Sequence, residues 1–557
     1  MELYKQSSTI ISHCSGQFLG LILMTILVVG CGRESKTVVR AELLKEKPFV
    51  LLQEKDLDSS LVAVTESGKV LGAMHEKGII RFTSIPFASG PIDTLRYRAP
   101  IPPKPWEDVL DTRKICPKCV QQPAIGDEQW SGGESEDCLW LTVNTPSLDT
   151  KKRPVIVWIH GGSLVNGGAG HPTYDGASLS SRGDIVFVNI QYRLGVFGWL
   201  NVSHIGGEMG SQFNGRLDQL LALKWVRNNI DNFGGDPDNI TLMGNSDGSF
   251  SANSILQMPE ADELFHKAIL SSGLGTPYKA PPTTEITNSF IELLGVGSLK
   301  ELQQLPSEDI RDAGEELNEI IKDQGYLNHP TPLFGPLKWD RNLLLAAGKK
   351  GKPIMHGTTA DEYHGVLPYY DLDQDDGLRI TDRVFYSKSV GLTRKDAKKL
   401  IKTLKKYKPA DNVNQKNNLY IDVLSNAFVQ YPHEILDKTY GQNAPTYRYI
   451  FNLGSPVMEN QEAIHMSDMP YFFGTLDTFK DLIGDNPIKS LSMKMQDCII
   501  AFSRTGNPNH ESIPNWPIYD PSNKSIMVFD KVSEVKDNPM PWMEKFGKVY
   551  EKTTNQD

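Results

Sequence analysis

The chain has 557 residues, 39% apolar and 9% aromatic, which is ample for a large core, and no low-complexity stretch marks it as disordered. Its formal net charge is −10; without a basic cluster or a nucleic-acid motif, nucleic acid is not an expected partner. An acidic surface speaks mainly to solubility and says little about the substrate.

The first element is a targeting segment. Phe18 to Val29 is an apolar run of signal-peptide length. It is shorter than the roughly 20 residues a membrane-spanning helix needs. It ends at Val28-Val29-Gly30-Cys31, which resembles a bacterial lipobox, where the cysteine becomes the lipidated first residue of the mature protein. The reading adopted is a lipoprotein-type signal over residues 1–30, a lipid on Cys31 as the sole membrane contact, and a place in the cell envelope. A plain secretory signal and a soluble exported protein are the alternative. Residues 31–58 are polar and charged without periodicity and read as a tether. Residues 59–557 read as a single catalytic domain.

Val62 to Phe87 alternates apolar runs with glycines, as expected of short antiparallel strands with tight turns. Pro100 to Pro105 reads as an extended surface loop. Among the six cysteines, Cys14 falls in the signal. Cys116-x-x-Cys119 could suggest a metal or redox pair, but no second such pair and no spaced histidine pair accompanies it. An exported chain favours a structural disulfide, and Cys119–Cys138 is the pair expected. Cys498 lies in an apolar helical segment and reads as a buried free thiol.

From Pro154 the pattern changes. Val155–Ile159 is a continuous apolar run and Ile185-Val186-Phe187-Val188-Asn189-Ile190 a second, broken only by Asn189, as expected of strands buried on both faces. Between Asn214 and Asn232, Leu217, Leu220, Leu221, Trp225 and Val226 follow helical spacing. Further strand-like runs are Ile240–Met243, Ala268–Leu270, Pro353–Met355, Tyr447–Phe451 and Ile526–Phe529, with helix-like segments between them. Alternation of this kind implies a mostly parallel sheet wrapped by helices on both faces. Lys395 to Lys408 reads as a solvated helix face.

The run at Ile240 ends in Gly244-Asn245-Ser246-Asp247-Gly248, a G-x-S-x-G, and Ser249 to Met258 can continue as a helix. Strand, sharp turn and helix are the setting of a nucleophile elbow, in which the turn lifts the serine hydroxyl above the sheet edge. A serine hydroxyl needs a base and an orienting acid to act at neutral pH. Glu362 follows the Pro353–Met355 strand, and His465 lies in a loop after Phe451, so the chain order is serine, acid, histidine. Asp361, beside Glu362, is the competing acid. Asp468 reads as structural, and His364 as lining a surface loop. His160-Gly161-Gly162-Ser163 follows the Val155–Ile159 strand, where backbone N–H groups can face a developing oxyanion together with that of Asp247.

The chain resembles the type-B carboxylesterase/cholinesterase family of α/β-hydrolases. The matching stretches are I-P-F-A at 85–88, S-E-D-C-L-W-L at 135–141, V-W-I-H-G-G at 157–162, Y-R-L-G-V-F-G at 192–198 and L-D-Q-L-L-A-L-K-W-V at 217–226. F-G-G-D-P-D-N-I-T-L at 233–242, F-H-K-A-I-L at 265–270, A-D-E at 360–362, H-M-S-D-M-P-Y at 465–471 and R-T-G-N-P-N at 504–509 follow in family order. The resemblance implies an α/β-hydrolase fold and an ester substrate. It implies Ser246 as nucleophile, Glu362 as acid, His465 as base, oxyanion donors at Gly161, Gly162, Ser163 and Asp247, and a disulfide ending at Cys138.

Four positions depart from the family pattern. The elbow, commonly G-E-S-A-G, is G-N-S-D-G here, so Asn245 replaces a carboxylate and Asp247 a small apolar residue. Ser163 replaces the third glycine of the usual H-G-G-G loop, and Leu164 the aromatic after it. An Asp247 carboxylate turned into the pocket would oppose the oxyanion, and a β-carbon at 163 would narrow the hole. The expected chemistry is ester hydrolysis through an acyl-enzyme with no cofactor and no metal. A silent adhesion domain and an acyltransferase are the alternatives. The sequence leaves acyl size, alcohol size and oligomeric state open.

Overall fold

The computed structural model describes residues 50–115, 117–122, 132–206, 213–275, 283–324, 341–365, 393–408, 413–458 and 463–554. The signal, Cys31, Cys116 and most of the expected tether lie outside these residues. The tether's last part does not: Leu51–Leu52 pairs antiparallel with Val109 and Leu110, so the paired body starts before residue 59. Two adjacent leucines suffice for an edge strand in an otherwise charged segment, and periodicity analysis is blind to so short a run. Val62–Thr65 and Gly68–Leu71 form a hairpin in the same four-stranded sheet.

Among the described residues the main sheet has eleven strands. In chain order they are β1 (Ala73–Met74), β2 (Ile80–Pro86), β3 (Trp140–Thr145), β4 (Arg153–Ile159), β5 (Val186–Ile190), β6 (Gly235–Asn245), β7 (Lys267–Ser271), β8 (Ile354–Thr359), β9 (Thr446–Phe451), β10 (Ser525–Phe529) and β11 (Glu534–Asp537). Their spatial order is β11-β10-β9-β8-β7-β6-β4-β5-β3-β2-β1. From β10 to β5 every pairing is parallel; antiparallel strands close both edges. This is the α/β-hydrolase arrangement.

The continuous apolar runs are explained by the two covered faces. Val155, Val157 and Ile159 share one core with Val188, Leu242, Leu223 and Ile255. Ile156 and Trp158 point the other way, into a core with Phe187, Met243, Ile269 and Phe473. Period-two alternation sends both sets inward, so both faces favour apolar residues, and a polar one such as Asn189 of β5 is buried with its amide donating to Tyr174 O at 2.9 Å.

Helix α1 (Asn214–Asn229) ends three residues before the expected boundary, and a 3₁₀ turn at Ile230–Phe233 takes over. Its first turns bury Asn214, Arg216, Asp218 and Gln219 beside the apolar residues, so it is covered almost all round. The lysine-rich helix, Arg394–Lys405, carries exposed cations as expected. Lys408, just beyond it, instead reaches Asp422 at 2.8 Å.

Cys119 and Cys138 form a disulfide, with Cα atoms 5.0 Å apart and 19 residues of sequence separation. A loop of that size is worth about 3 kcal/mol to the folded state. Cys498 is fully buried and free, 3.5 Å from His510 Nε2. Burial pushes its thiol well above the ordinary range.

Candidate active site

The four segments singled out in the sequence all leave the same edge of the sheet. β4 ends at Ile159 before His160, and β6 ends at Asn245 before Ser246. β8 ends at Thr359, shortly before Glu362, and β9 ends at Phe451, before the loop that carries His465. These strands run parallel and lie close together in the sheet, so their carboxyl ends share one rim.

Ser246 sits between β6 and helix α2 (Asp247–Leu256) with φ 56° and ψ −129°, a region side-chain-bearing residues avoid. Its N–H donates to Ser271 O at 2.9 Å, tying the turn to β7. The helix starts at Asp247, two residues earlier than the sequence indicated, because the elbow leads into it without a linker. The strain holds because the surroundings leave no alternative: a β-carbon at Gly248 would lie 2.1 Å from Ile159 O. Gly248→Ala is therefore expected to displace the elbow from β4. Urea unfolding should register a loss of about 3 kcal/mol, well beyond the usual cost of a glycine-to-alanine change.

Glu362 is fully buried at the start of a short 3₁₀ turn, and both its oxygens are engaged. Oε1 accepts the Thr359 N–H at 2.8 Å, and Oε2 lies 2.5 Å from His465 Nδ1. The His465 N–H also donates to Glu362 O at 3.3 Å. A carboxylate can only accept, so Nδ1 carries the proton and Nε2 is left with its lone pair. Burial pulls the imidazole down, but the Glu362 charge and hydrogen bond, then Asp468 and Asp247, outweigh it and hold it above its ordinary value. Asp361 points elsewhere: it accepts the Ala463 N–H at 3.1 Å and faces Lys408.

The His160 loop touches the elbow. A β-carbon on Gly161 would fall 2.8 Å from Asn245 O and 3.0 Å from the Ser246 β-carbon, so only glycine permits the approach. Ser163 and Leu164 follow with φ 56° and 61°, which keeps the loop curled although the third glycine is missing. Gly162 O accepts from both Val165 and Asn166, while among the described residues no backbone acceptor takes the N–H of Gly161, Gly162 or Ser163. Tyr192 stacks on His160 with centroids 4.4 Å apart and donates to His160 O at 2.8 Å. On the other side Gln121 grips Gly167, donating to its O at 2.9 Å and accepting its N–H at 2.7 Å. Asp247 supplies a first-turn helix N–H, which has no acceptor within its own helix.

Behind the serine lies a polar network that pattern reading missed. Ser271 Oγ accepts from Asn245 Nδ2 at 3.3 Å and from the Tyr449 hydroxyl at 2.8 Å, and donates to Asp468 Oδ2 at 3.2 Å. Burial, then the charge of Glu362, pushes the Asp468 carboxyl up to about 7, against the pull of His465, Ser271 and Tyr449. Asn245 is thus a buried hydrogen-bond donor where the family pattern has an acid. The network also links the two halves of the site, since Ser271 O receives the Ser246 N–H while Ser271 Oγ reaches the acid three residues past His465.

His364 does not line a surface loop. It is 4% exposed, with Nε2 3.5 Å from Asp422 Oδ1. Asp361, His364 and Asp422 bring ligand-type atoms within 4.8 Å of one another. The Lys408 ammonium, 2.8 Å from Asp422 and 3.8 Å from Asp361, already supplies the positive charge there. The signal that could have found this cluster is the run of three polar residues, Asp361 to His364 around Tyr363, entering a turn directly after a buried strand.

The Carboxylesterase family profile matches residues 59–543. A para-nitrobenzyl esterase of Bacillus subtilis (strain 168) is 32% identical over 490 residues, 86% of this chain and 96% of that protein. Carboxylesterase 1E of Rattus norvegicus is 32% identical over 513 residues, 83% of this chain and 89% of that protein. Among solved structures, a "thermophylic PNB esterase" superposes with a TM-score of 0.74 at 29% identity, covering 88% of this chain and all (100%) of that one. A Geobacillus stearothermophilus carboxylesterase gives a TM-score of 0.73 at 30% identity, with coverage of 88% and 100%.

Proposed function

The chain belongs to the type-B carboxylesterase/cholinesterase family and is a carboxylesterase, and from that premise we propose that it cleaves its esters by a Ser246–His465–Glu362 relay through an acyl-enzyme. His465 Nε2 takes the Ser246 proton as Oγ adds to the ester carbonyl. The tetrahedral oxyanion is received by the N–H groups of Gly161, Gly162, Ser163 and Asp247, fixed in place before the charge develops. The imidazolium then protonates the departing alkoxide. A water, deprotonated in the same way, releases the acid. Glu362 fixes the tautomer and faces the imidazolium throughout.

The observation that carries this reading is the 2.5 Å contact of Glu362 Oε2 with His465 Nδ1, which leaves Nε2 as the basic nitrogen. The test is a serine-directed fluorophosphonate followed by peptide mass analysis. One adduct per chain, on the peptide holding Ser246, with activity lost in step, is the expected result. Full inactivation with the adduct on another residue would reject the assignment. The apolar run Phe18–Val29 ahead of Cys31 supports an exported enzyme held at the envelope by a lipid on that cysteine.

A further inference from the structure

His160 has no part in the relay, yet it stands directly before the amides proposed to receive the oxyanion and is fully buried. Its Nδ1 lies 2.8 Å from Gly161 O. A carbonyl only accepts, so Nδ1 carries the proton and Nε2 keeps its lone pair. Nε2 is buried without a donor, a cost that an apolar side chain would not incur. Burial pushes the imidazole down to about 4, with the Gly161 bond acting in the opposite sense, so the ring is neutral around pH 7 and keeps its Nδ1 proton.

A trans peptide unit is rigid, and its C=O and N–H point in opposite directions. Among the described residues no peptide bond is cis. Fixing the direction of one residue's oxygen therefore fixes that of the next residue's N–H. The loop after β4 has three consecutive oxygens fixed in this way. The Tyr192 hydroxyl donates to His160 O at 2.8 Å, which sets the Gly161 N–H. His160 Nδ1 donates to Gly161 O, which sets the Gly162 N–H. The N–H groups of Val165 and Asn166 both donate to Gly162 O at 3.0 Å, which sets the Ser163 N–H. Backbone alone fixes the last unit. The first two depend on side chains, since among the described residues no backbone N–H donates to His160 O or Gly161 O.

The two side chains also hold each other, because their rings stack with only 19° between the planes. Gly167 closes on the His160–Gly161 bond: a β-carbon there would lie 2.6 Å from His160 Nδ1 and 2.7 Å from Gly161 O. Given the acyl-enzyme reading, on which this step rests, we propose that His160 and Tyr192 are positioning residues that aim the Gly162 and Gly161 N–H groups at the oxyanion. Each acts by fixing a peptide plane, so its effect belongs to the tetrahedral stage and not to binding of the planar ester.

Three variants of the whole enzyme test this. His160→Leu removes the donor, His160→Asn returns an N–H near the Nδ1 position, and Tyr192→Phe keeps the ring and loses the hydroxyl. His160→Leu is expected to lose about 10- to 100-fold in kcat, less than deletion of an oxyanion donor, with KM within about threefold. Affinity for a trifluoromethyl ketone, which forms a tetrahedral adduct with a serine nucleophile, should fall by the same factor. His160→Asn should return to within about fivefold of the native rate, and Tyr192→Phe should lose about tenfold. Losses carried by KM, a His160→Asn variant as slow as His160→Leu, or an unchanged kcat in either His160→Leu or Tyr192→Phe would overturn the proposal. Should His160→Leu fail to fold, Tyr192→Phe decides: kcat and ketone affinity falling together support the assignment, and an unchanged kcat rejects it. A fluorophosphonate adduct on Ser246 of the native chain separates the two levels. With the adduct present, an unchanged kcat in the variants sinks the aiming alone; with it absent, the relay and the aiming fall together.

Discussion

Ser246→Ala is expected to lower kcat for short p-nitrophenyl esters by about 10⁵- to 10⁶-fold, the size of loss seen when a serine nucleophile is removed from an intact relay. The change takes away the hydroxyl proposed to bond to the acyl group and leaves the rest of the turn in place. The Ser246 N–H still donates to Ser271 O, and alanine meets the same steric cost at φ 56° as serine. Stability should stay within about 1 kcal/mol of the native chain. Parallel measurements of turnover and thermal midpoint separate the two effects. A variant with turnover within tenfold of the native enzyme would refute Ser246 as nucleophile.

Glu362→Gln is expected to cost about 10⁴-fold in kcat, through the imidazole rather than through contact with substrate. Glu362 accepts from two donors at once, the Thr359 N–H and His465 Nδ1. A glutamine has one oxygen and one NH₂, so one of these sites then faces a donor. Satisfying Thr359 turns the NH₂ toward the ring and favours the tautomer with its lone pair on Nδ1, which cannot act on Ser246.

The pH profile moves as well. In the native chain the imidazole is held above its ordinary value, so kcat/KM should climb with pH through a midpoint above about 6.5. Without the Glu362 charge, burial is the largest remaining influence and acts downward, so the midpoint in the variant should fall. The stability sign follows from the same shift. A folded-state pKa raised above the unfolded one stabilises fully below the unfolded value and loses that contribution as pH rises through the folded one. The stability gap between native and variant chains should therefore be wider at pH 5.5 than at pH 9. A variant with an unmoved midpoint would count against Glu362 as the residue that sets the base.

Much of this was legible because the strands carrying the site are buried on both faces. Val155–Ile159 and, apart from Asn189, Ile185–Ile190 are apolar throughout, so their ends located the rim, and the residues just beyond them were the place to look for chemistry. Side chains that settle which element they meet only in three dimensions were not legible. Asn245, Ser271, Tyr449 and Asp468 come from four separate segments, and no spacing rule connects them. His364 stands in a polar string that resembles a surface turn, yet Asp422, far along the chain, buries it. Leu51–Leu52 is too short to show a period. Arg216 was hidden for a related reason: the helical spacing of α1 drew attention to its leucines, while the polar residues of its first turn are buried just as deeply.

The Cys119–Cys138 cross-link lies two residues from Gln121, whose amide holds Gly167 in a two-way grip at the far side of the His160 loop. Formation of that bond thus does more than harden the fold, because it pins the strap beside the Gly161–Ser163 amides. Material produced in a reducing cytoplasm would carry the same sequence and the same relay with a slacker wall opposite it, and its specific activity would report the redox history of the sample.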